Sequence, residues 1–334
     1  GAQPRADLAA KLLEKAGFEG GRVFFTLGGA DANEHALKFA RQARALPRGL
    51  VVARDRSYHG ASYATMALSG DSRTRQYSEP SAHHVTHVPA PYSYRCPFGS
   101  DDANECGRRA ASAVAERIDR IGAENIAAVL MEPEAGTNGI VAPDTYWPLL
   151  RELTRARHVP LIADEVMSGF GRCGEWFAWQ RHGEAGRPDI ISCAKGLTGA
   201  HLPLGAVIVS SDIAARLEHQ MLSTGLTYCG HPLCCAAGLA AVEAYETEGL
   251  IERARKLGGY LHRRLHAMAA KHECIGEVRG HGMYAVVELV GDRATRAPLS
   301  AWPKLPTSVQ KLLQAALDRG VSFAARGNLL LLAP

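Results

Sequence analysis

No apolar stretch in this chain of 334 residues approaches the roughly 20 residues that a membrane-spanning helix needs. Its opening, Gly1-Ala2-Gln3-Pro4-Arg5, has no apolar core of a secretory signal. Charge of one sign is lacking too: 38 Lys and Arg against 34 Asp and Glu leave a net +4. No basic run is dense enough to point to nucleic acid. The eight cysteines fall at no framework spacing, so reduced thiols and a soluble, cytoplasmic protein are expected. Cys193, Cys229 and the Cys234-Cys235 pair read as small core residues rather than metal ligands. His83-His84-x-x-His87 has neither a helical pattern nor a nearby acid, so it reads as loop histidines and no metal is expected. Internal repeats and low-complexity linkers are also absent. What remains is 46% hydrophobic and 22% charged residues, the balance of a globule with room for one large α/β domain and a smaller one.

Apolar runs alternate with amphipathic helices along most of the chain. Runs at 50–53, 127–131, 160–166, 189–194 and 204–209 read as strands, and helices are expected at about 32–45, 106–121 and 144–157. The runs are continuous rather than alternating, which implies strands covered on both faces and hence a mostly parallel sheet. A small-residue helix is expected from His231-Pro232 to about Ala254, where the pattern changes. Strand and turn over 278–290, a helix over 306–319 and a strand at 329–332 then suggest a smaller α+β unit. The expected division is a large domain over 1–240 and a small one over 241–334.

Two of these runs end in chemistry. The strand at 160–166 meets acid at Asp164-Glu165, and the next ends in Ala194-Lys195-Gly196. A buried lysine is costly unless it is paired or used covalently. A Schiff base to pyridoxal phosphate is the economical use, with Asp164 holding the pyridinium nitrogen protonated. Val166, two residues on, would share a strand face with Asp164 and give the flat ring an apolar floor. Glu132, Asp164 and Lys195 all stand at carboxyl ends of runs, where ligands bind in open α/β sheets. Gly28-Gly29-Ala30 opens a helix whose free N–H groups can cup a phosphate, or it is a plain turn capped by Asp31. Tyr58, in Ser57-Tyr58-His59-Gly60, can cover the second face of a ring or simply occupy a loop before a helix. Glu132 is a pocket residue or a solvated strand terminus. Thr227 offers its hydroxyl to a phosphate or to its own turn.

Taken together these segments resemble a family. Asp164-Glu165-Val166-Met167-Ser168-Gly169-Phe170-Gly171-Arg172 followed by Lys195-Gly196 is similar to the class III, or omega, pyridoxal-phosphate aminotransferases. So are Gly29-Ala30-Asp31-Ala32-Asn33-Glu34, Tyr58-His59-Gly60, Glu132-Pro133 and Thr227-Tyr228-Cys229-Gly230-His231-Pro232, in order along essentially the whole chain. The resemblance implies fold type I: a large domain with a seven-stranded, mostly parallel sheet, a smaller C-terminal α+β domain, and a homodimer with shared active sites. It implies Lys195 as the Schiff-base lysine, Asp164 as the pyridinium partner and Val166 as the ring floor. Tyr58 would stack opposite with His59 beside it, Gly29 and Ala30 would cup the phosphate, and Glu132 would support the pocket near Asp164. Thr227 would reach the neighbouring subunit's phosphate. Two departures stand out: Ala30 replaces the family's usual serine, and the family's segment before the first helix and its chain beyond Ala333-Pro334 have no counterpart here.

The implied reaction moves an amino group from an omega-amino acid, amine or aminosulfonate to a keto acid in two half-reactions. An aminomutase or decarboxylase on the same fold, or a truncated relative without turnover, are the alternatives. Relatives that use glutamate carry an acid–arginine gate at positions that are Thr137 and Leu331 here, so a pyruvate-type acceptor is favoured. Pyruvate-using relatives often carry a mobile arginine where Ala324 stands. Arg326 nearby either supplies that carboxylate contact after a local shift or is a solvated turn residue. Glu132-Pro133-x-x-Gly136-Thr137-Asn138-Gly139 also resembles taurine–pyruvate enzymes.

Overall fold

The computed structural model describes residues 2–79 and 83–334. Seven strands make the central sheet: β1 (Arg22–Thr26), β2 (Leu50–Arg54), β3 (Val85–Val88), β4 (Ile126–Met131), β5 (Leu161–Asp164), β6 (Ile190–Cys193) and β7 (Gly205–Val209). Their spatial order is β1-β7-β6-β5-β4-β2-β3, with β7 antiparallel to both its neighbours and the other pairings parallel. Alternate residues feed two different cores, as a doubly covered sheet requires. Val51, Ala53, Ala128, Leu130, Ile162 and Ile190 face one core, and Val52, Val129, Met131, Leu161, Ala163 and Ile191 the other. Helix α2 (Gly29–Ala43) covers the first face through Ala32, Ala36, Leu37, Phe39 and Ala40. Helices α1 (Gln3–Ala16), α3 (Ala103–Ile121) and α4 (Tyr146–Ala156) cover the second. Each fully buried Leu, Ile or Val contributes about 1.5–3 kcal/mol to holding these layers together.

Several expectations need correction. The single helix expected from His231 to Ala254 is two, α5 (Pro232–Thr247) and α6 (Leu250–Ala269), broken where Gly249 adopts φ +61. The 240/241 boundary falls inside α5. Helix α1 and the edge strands β1 and β3 were not expected at all. His87, taken for a loop residue, lies on β3, with Nε2 3.0 Å from the Leu68 carbonyl.

The C-terminal unit is an antiparallel sheet of β8 (Ile275–His281), β9 (Tyr284–Asp292), β10 (Ala324–Arg326) and β11 (Leu329–Leu332), ordered β8-β9-β11-β10. Leu265 of α6 and Val309 of α7 (Thr307–Leu317) pack with Ile275, Val278, Val287 and Leu330 in its own core. Among the described residues no helix is long and apolar enough to cross a membrane. The parallel register sets the functional edge: Asp164, last in β5, lies opposite Ser192 on β6, Glu132 directly follows β4, and Lys195 follows β6 by two residues.

Candidate cofactor pocket at the strand ends

Asp164 is buried, and three N–H groups converge on it. Asn33 Nδ2 lies 2.7 Å and His59 Nδ1 2.8 Å from Oδ2, while the Val166 backbone N–H donates to Oδ1 at 3.0 Å. Facing a carboxylate, His59 carries its ring proton on Nδ1. Its Nε2 is buried without a partner among the described residues. Strand β5 stops at Asp164, so Val166 sits in the following turn rather than on the same strand face. The turn still delivers it to the pocket, because a Cβ at Gly29 would fall 2.7 Å from Val166 Cγ1.

Helix α2 begins at Gly29, preceded by extended Gly28, with no side-chain cap on its first N–H groups. Such an end is an anion site in waiting. The 57–60 loop lies against it: Gly60 has φ +139, and a Cβ there would come within 2.7 Å of Ala30 Cβ. Tyr58 is half-buried, with the Arg73 guanidinium 4.8 Å from its ring centroid. Glu132 is buried, not a solvated terminus, and meets Arg54 at 3.3 Å. Burial raises its pKa to about 6 against the pull of the nearby His59 and Arg54.

Lys195 is not the buried amine expected. It is exposed, with φ +46, at the start of the 3-10 turn Lys195–Thr198. The strand ends two residues earlier, and the turn lifts the side chain beyond the sheet edge. A left-handed backbone costs about 1–2 kcal/mol for an L residue, and such strain gathers at functional positions. The lysine borders a cavity of about 400 Å³ shared with Met167, Phe170, Arg172 and Tyr245.

Thr227 stands apart from this cluster, exposed on the turn 227–230. Arg326 is not a solvated turn residue. Its guanidinium forks onto Asp71, ahead of the short helix Ser72–Arg75, and lies 5.2 Å from the Trp302 ring centroid. Arg73 also binds Asp71, which links Arg326 to the side chain stacked on Tyr58.

Reading the sequence missed Asn33 and Ser192, although each lies in a segment that drew attention for its neighbours. Buried Asn and Ser at the head of α2 and one pairing away from Asp164 are the signal that could have found them. It also gave no task to Glu165, fully buried beneath the pocket, which accepts from Ser168 Oγ, Ala178 N (3.0 Å) and Trp179 N (2.9 Å).

A mostly parallel sheet with an acid and a lysine at its carboxyl edge and an uncapped helix end beside them is the arrangement in which α/β enzymes hold a phosphate-bearing ligand. Comparison with known proteins makes the family specific. Residues 1–334 match the class III aminotransferase family. A putrescine–pyruvate aminotransferase of Pseudomonas aeruginosa is 36% identical over 88% of this chain and 65% of its own. A leucine/methionine racemase of Thermococcus litoralis is 34% identical over 98% of this chain and 71% of its own. The structure of a taurine:2-oxoglutarate aminotransferase from Bifidobacterium kashiwanohense, in complex with PLP and glutamate, superposes with a TM-score of 0.92 at 34% identity, covering 100% of this chain and 75% of that one. The chain thus spans about two thirds to three quarters of these relatives. It belongs to the class III aminotransferases, pyridoxal-phosphate enzymes of fold type I.

Proposed function

We propose that this chain is a pyridoxal-phosphate aminotransferase whose donor is an omega-amino acid, amine or aminosulfonate and whose acceptor is pyruvate. The observation that carries the reading is Asp164, held by three N–H donors at the end of β5, with Lys195 two residues past the end of the adjacent strand. The residues fit the cofactor. The uncapped start of α2 suits a phosphate, and the close approach of Gly29 to Val166 leaves a smooth floor that no side chain at 29 would permit.

Bound pyridoxal phosphate supplies the electron sink that makes the substrate's amine-bearing carbon acidic. Lys195 Nζ would hold the cofactor and, as a neutral amine, would take up and hand on the proton of that carbon. The Asp164 carboxylate would keep the ring nitrogen protonated, with His59 hydrogen-bonded to that carboxylate, and Val166 and Tyr58 would supply contacts to the ring. Backbone N–H groups at Gly29 and Ala30 would hold the phosphate without the hydroxyl that a serine would add, and Glu132 would close the pocket beside His59. Donor and keto acid use one site in turn, which gives ping-pong kinetics.

Thr227 serves the phosphate of a second subunit in a homodimer. Met221, 93% exposed, with exposed Tyr228 and Leu233, supports a partner surface around that turn. The division into a large and a small domain belongs to the same reading. Pyruvate is favoured because Thr137 and Leu331 cannot form an ion-pair gate for a second carboxylate. The racemase relative keeps open a second reading, chemistry on the same cofactor with no acceptor.

A visible spectrum decides between them. The protein loaded with pyridoxal phosphate should absorb in the visible, bleach with an omega-amine and recover with pyruvate. A loaded protein that converts amine without any keto acid supports racemisation or mutation instead. Borohydride reduction should fix the pyridoxyl group on Lys195, and a tag on another lysine rules out this site.

A further inference from the structure

Behind Asp164 stands a second row of side chains, whose role rests on the proposed pyridoxal-phosphate site. Ser192 is fully buried on β6, and its hydroxyl donates to Asn33 Oδ1. Asn33, buried in the first turns of α2, gives one Nδ2 hydrogen to the His59 carbonyl at 2.9 Å and the other to Asp164 Oδ2 at 2.7 Å. A carboxamide has two donor hydrogens and one acceptor oxygen, and all are engaged here. Turning the amide over would set its oxygen against the His59 carbonyl and the Asp164 carboxylate. Each buried polar group left unmet costs about 1–3 kcal/mol, so the amide has one orientation and the Ser192 hydroxyl supports it.

That orientation decides which carboxylate oxygen is free. Among the described residues, Oδ2 takes hydrogen bonds from both Asn33 and His59, whereas Oδ1 takes only the Val166 N–H. We propose that Asn33 and Ser192 are positioning residues that fix the rotation of the Asp164 carboxylate, so that Oδ1 keeps a lone pair directed to the pyridinium nitrogen. Neither touches the substrate. They act through Asp164, from two different elements of the fold, α2 and β6. Without Asn33 the carboxylate keeps one hydrogen bond on each oxygen, from His59 and from the Val166 N–H, and its rotation is held less firmly. Without Ser192 the amide oxygen loses its donor and the amide loosens.

The test uses the holoenzyme loaded with pyridoxal phosphate labelled with ¹⁵N in the ring, comparing wild type with Ser192→Ala, Ser192→Thr and Asn33→Ala. The ring ¹⁵N chemical shift, kcat, KM and Tm are all measured. Wild type should show a protonated ring nitrogen. Ser192→Ala should move the shift toward neutral pyridine and lower kcat roughly ten- to a hundredfold, as loss of a supporting hydrogen-bond partner does. Donor KM should stay within about twofold, because ground-state binding is untouched. Asn33→Ala should go further, and Ser192→Thr, which keeps the hydroxyl, should restore both shift and kcat. Folded, loaded Ser192→Ala and Asn33→Ala proteins with the wild-type shift overturn the proposal, even where Tm falls, since that pattern marks a purely structural role. A wild type whose pyridoxyl group is not on Lys195 overturns the proposed function itself, a separate and recognisable failure.

Discussion

Asp71→Asn and Arg326→Met remove opposite ends of one ion pair, and the geometry makes the losses unequal. The Asp71 side chain is completely buried and accepts from Arg326, from Arg73 (backbone N 2.8 Å, Nε 3.2 Å, Nη2 3.1 Å) and from Asn138 Nδ2 at 3.2 Å. Among the described residues, Arg326 has only Asp71, a 3.3 Å contact to Ser72 Oγ and the Trp302 ring. Neutralising Asp71 leaves a nearly buried guanidinium without a counter-ion, which costs about 3–5 kcal/mol. Removing Arg326 leaves Asp71 with two partners, and the methionine stem keeps its place beside Trp302, so about 1–2 kcal/mol is expected. Urea unfolding at neutral pH measures both. Burial raises the Asp71 pKa, but the bonds from Arg326 and Arg73 outweigh it and hold the carboxyl well below its usual range. A lowered carboxyl pKa gives stability that is present above the unfolded value and lost as pH falls. The gap between Asp71→Asn and wild type should therefore narrow below about pH 4. The same variant bears on acceptor choice. An arginine released from Asp71 can bind a second carboxylate, and a charge-assisted contact of about 1.5–3 kcal/mol raises kcat/KM for 2-oxoglutarate relative to pyruvate on the order of ten- to a hundredfold. Equal destabilisation by the two substitutions refutes the asymmetry. An unchanged acceptor ratio in a folded Asp71→Asn protein puts Arg326 out of the substrate's reach.

Three further outcomes are expected of the site. Asp164→Asn should fold normally yet lower transamination by several orders of magnitude, seen in single-turnover bleaching with an amine donor; near wild-type rates mean another group protonates the ring. Gly29→Ala should weaken cofactor affinity, because its Cβ would lie 2.7 Å from Val166 Cγ1, and equilibrium dialysis against pyridoxal phosphate reads the loss directly. Glu165 has its pKa raised to about 7, mainly by burial, so its contribution to stability is full below about pH 4.5 and is lost as pH rises through 7. That loss is about 3 kcal/mol. Glu165→Gln should flatten the stability curve between pH 5 and 8, and parallel curves for the two proteins argue against a neutral Glu165.

How legible each strand was depended on where it lies in the sheet. β4 (Ile-Ala-Ala-Val-Leu-Met) and β6 (Ile-Ile-Ser-Cys) are buried on both faces and read as apolar runs, the second interrupted only by the small Ser192. β1 and β3 are edges, where one side of the ladder is open and residues such as Arg22, Thr86 and His87 are tolerated. Their pattern is too mixed to stand out. The α5–α6 break hid for another reason. Glu246-Thr247-Glu248 is helix-compatible, and only the left-handed φ of Gly249 ends the run. The exposure of Lys195 is likewise a property of a turn, decided by one backbone angle that no apolar pattern encodes.

The site divides along the same line. Asp164 and Lys195 could be named because each interrupts its own strand, a local signal. What gives them properties is not local: Asn33 reaches Asp164 across 131 positions, and Arg326 reaches Asp71 across 255. The second contact changes how the missing gate should be understood. Thr137 and Leu331 remove a switchable ion pair from the places where relatives keep one, yet this chain retains an arginine with a buried carboxylate partner beside Tyr58, through Arg73. A guanidinium already neutralised by a buried aspartate attracts an incoming anion only to the extent that the anion competes with that aspartate. If Arg326 reaches the substrate, as the Asp71→Asn test above asks, a monocarboxylate such as pyruvate would make no demand on this pair, whereas a dicarboxylate would have to break it open. Acceptor preference would then turn on the strength of one internal salt bridge, set by how completely Asp71 is buried.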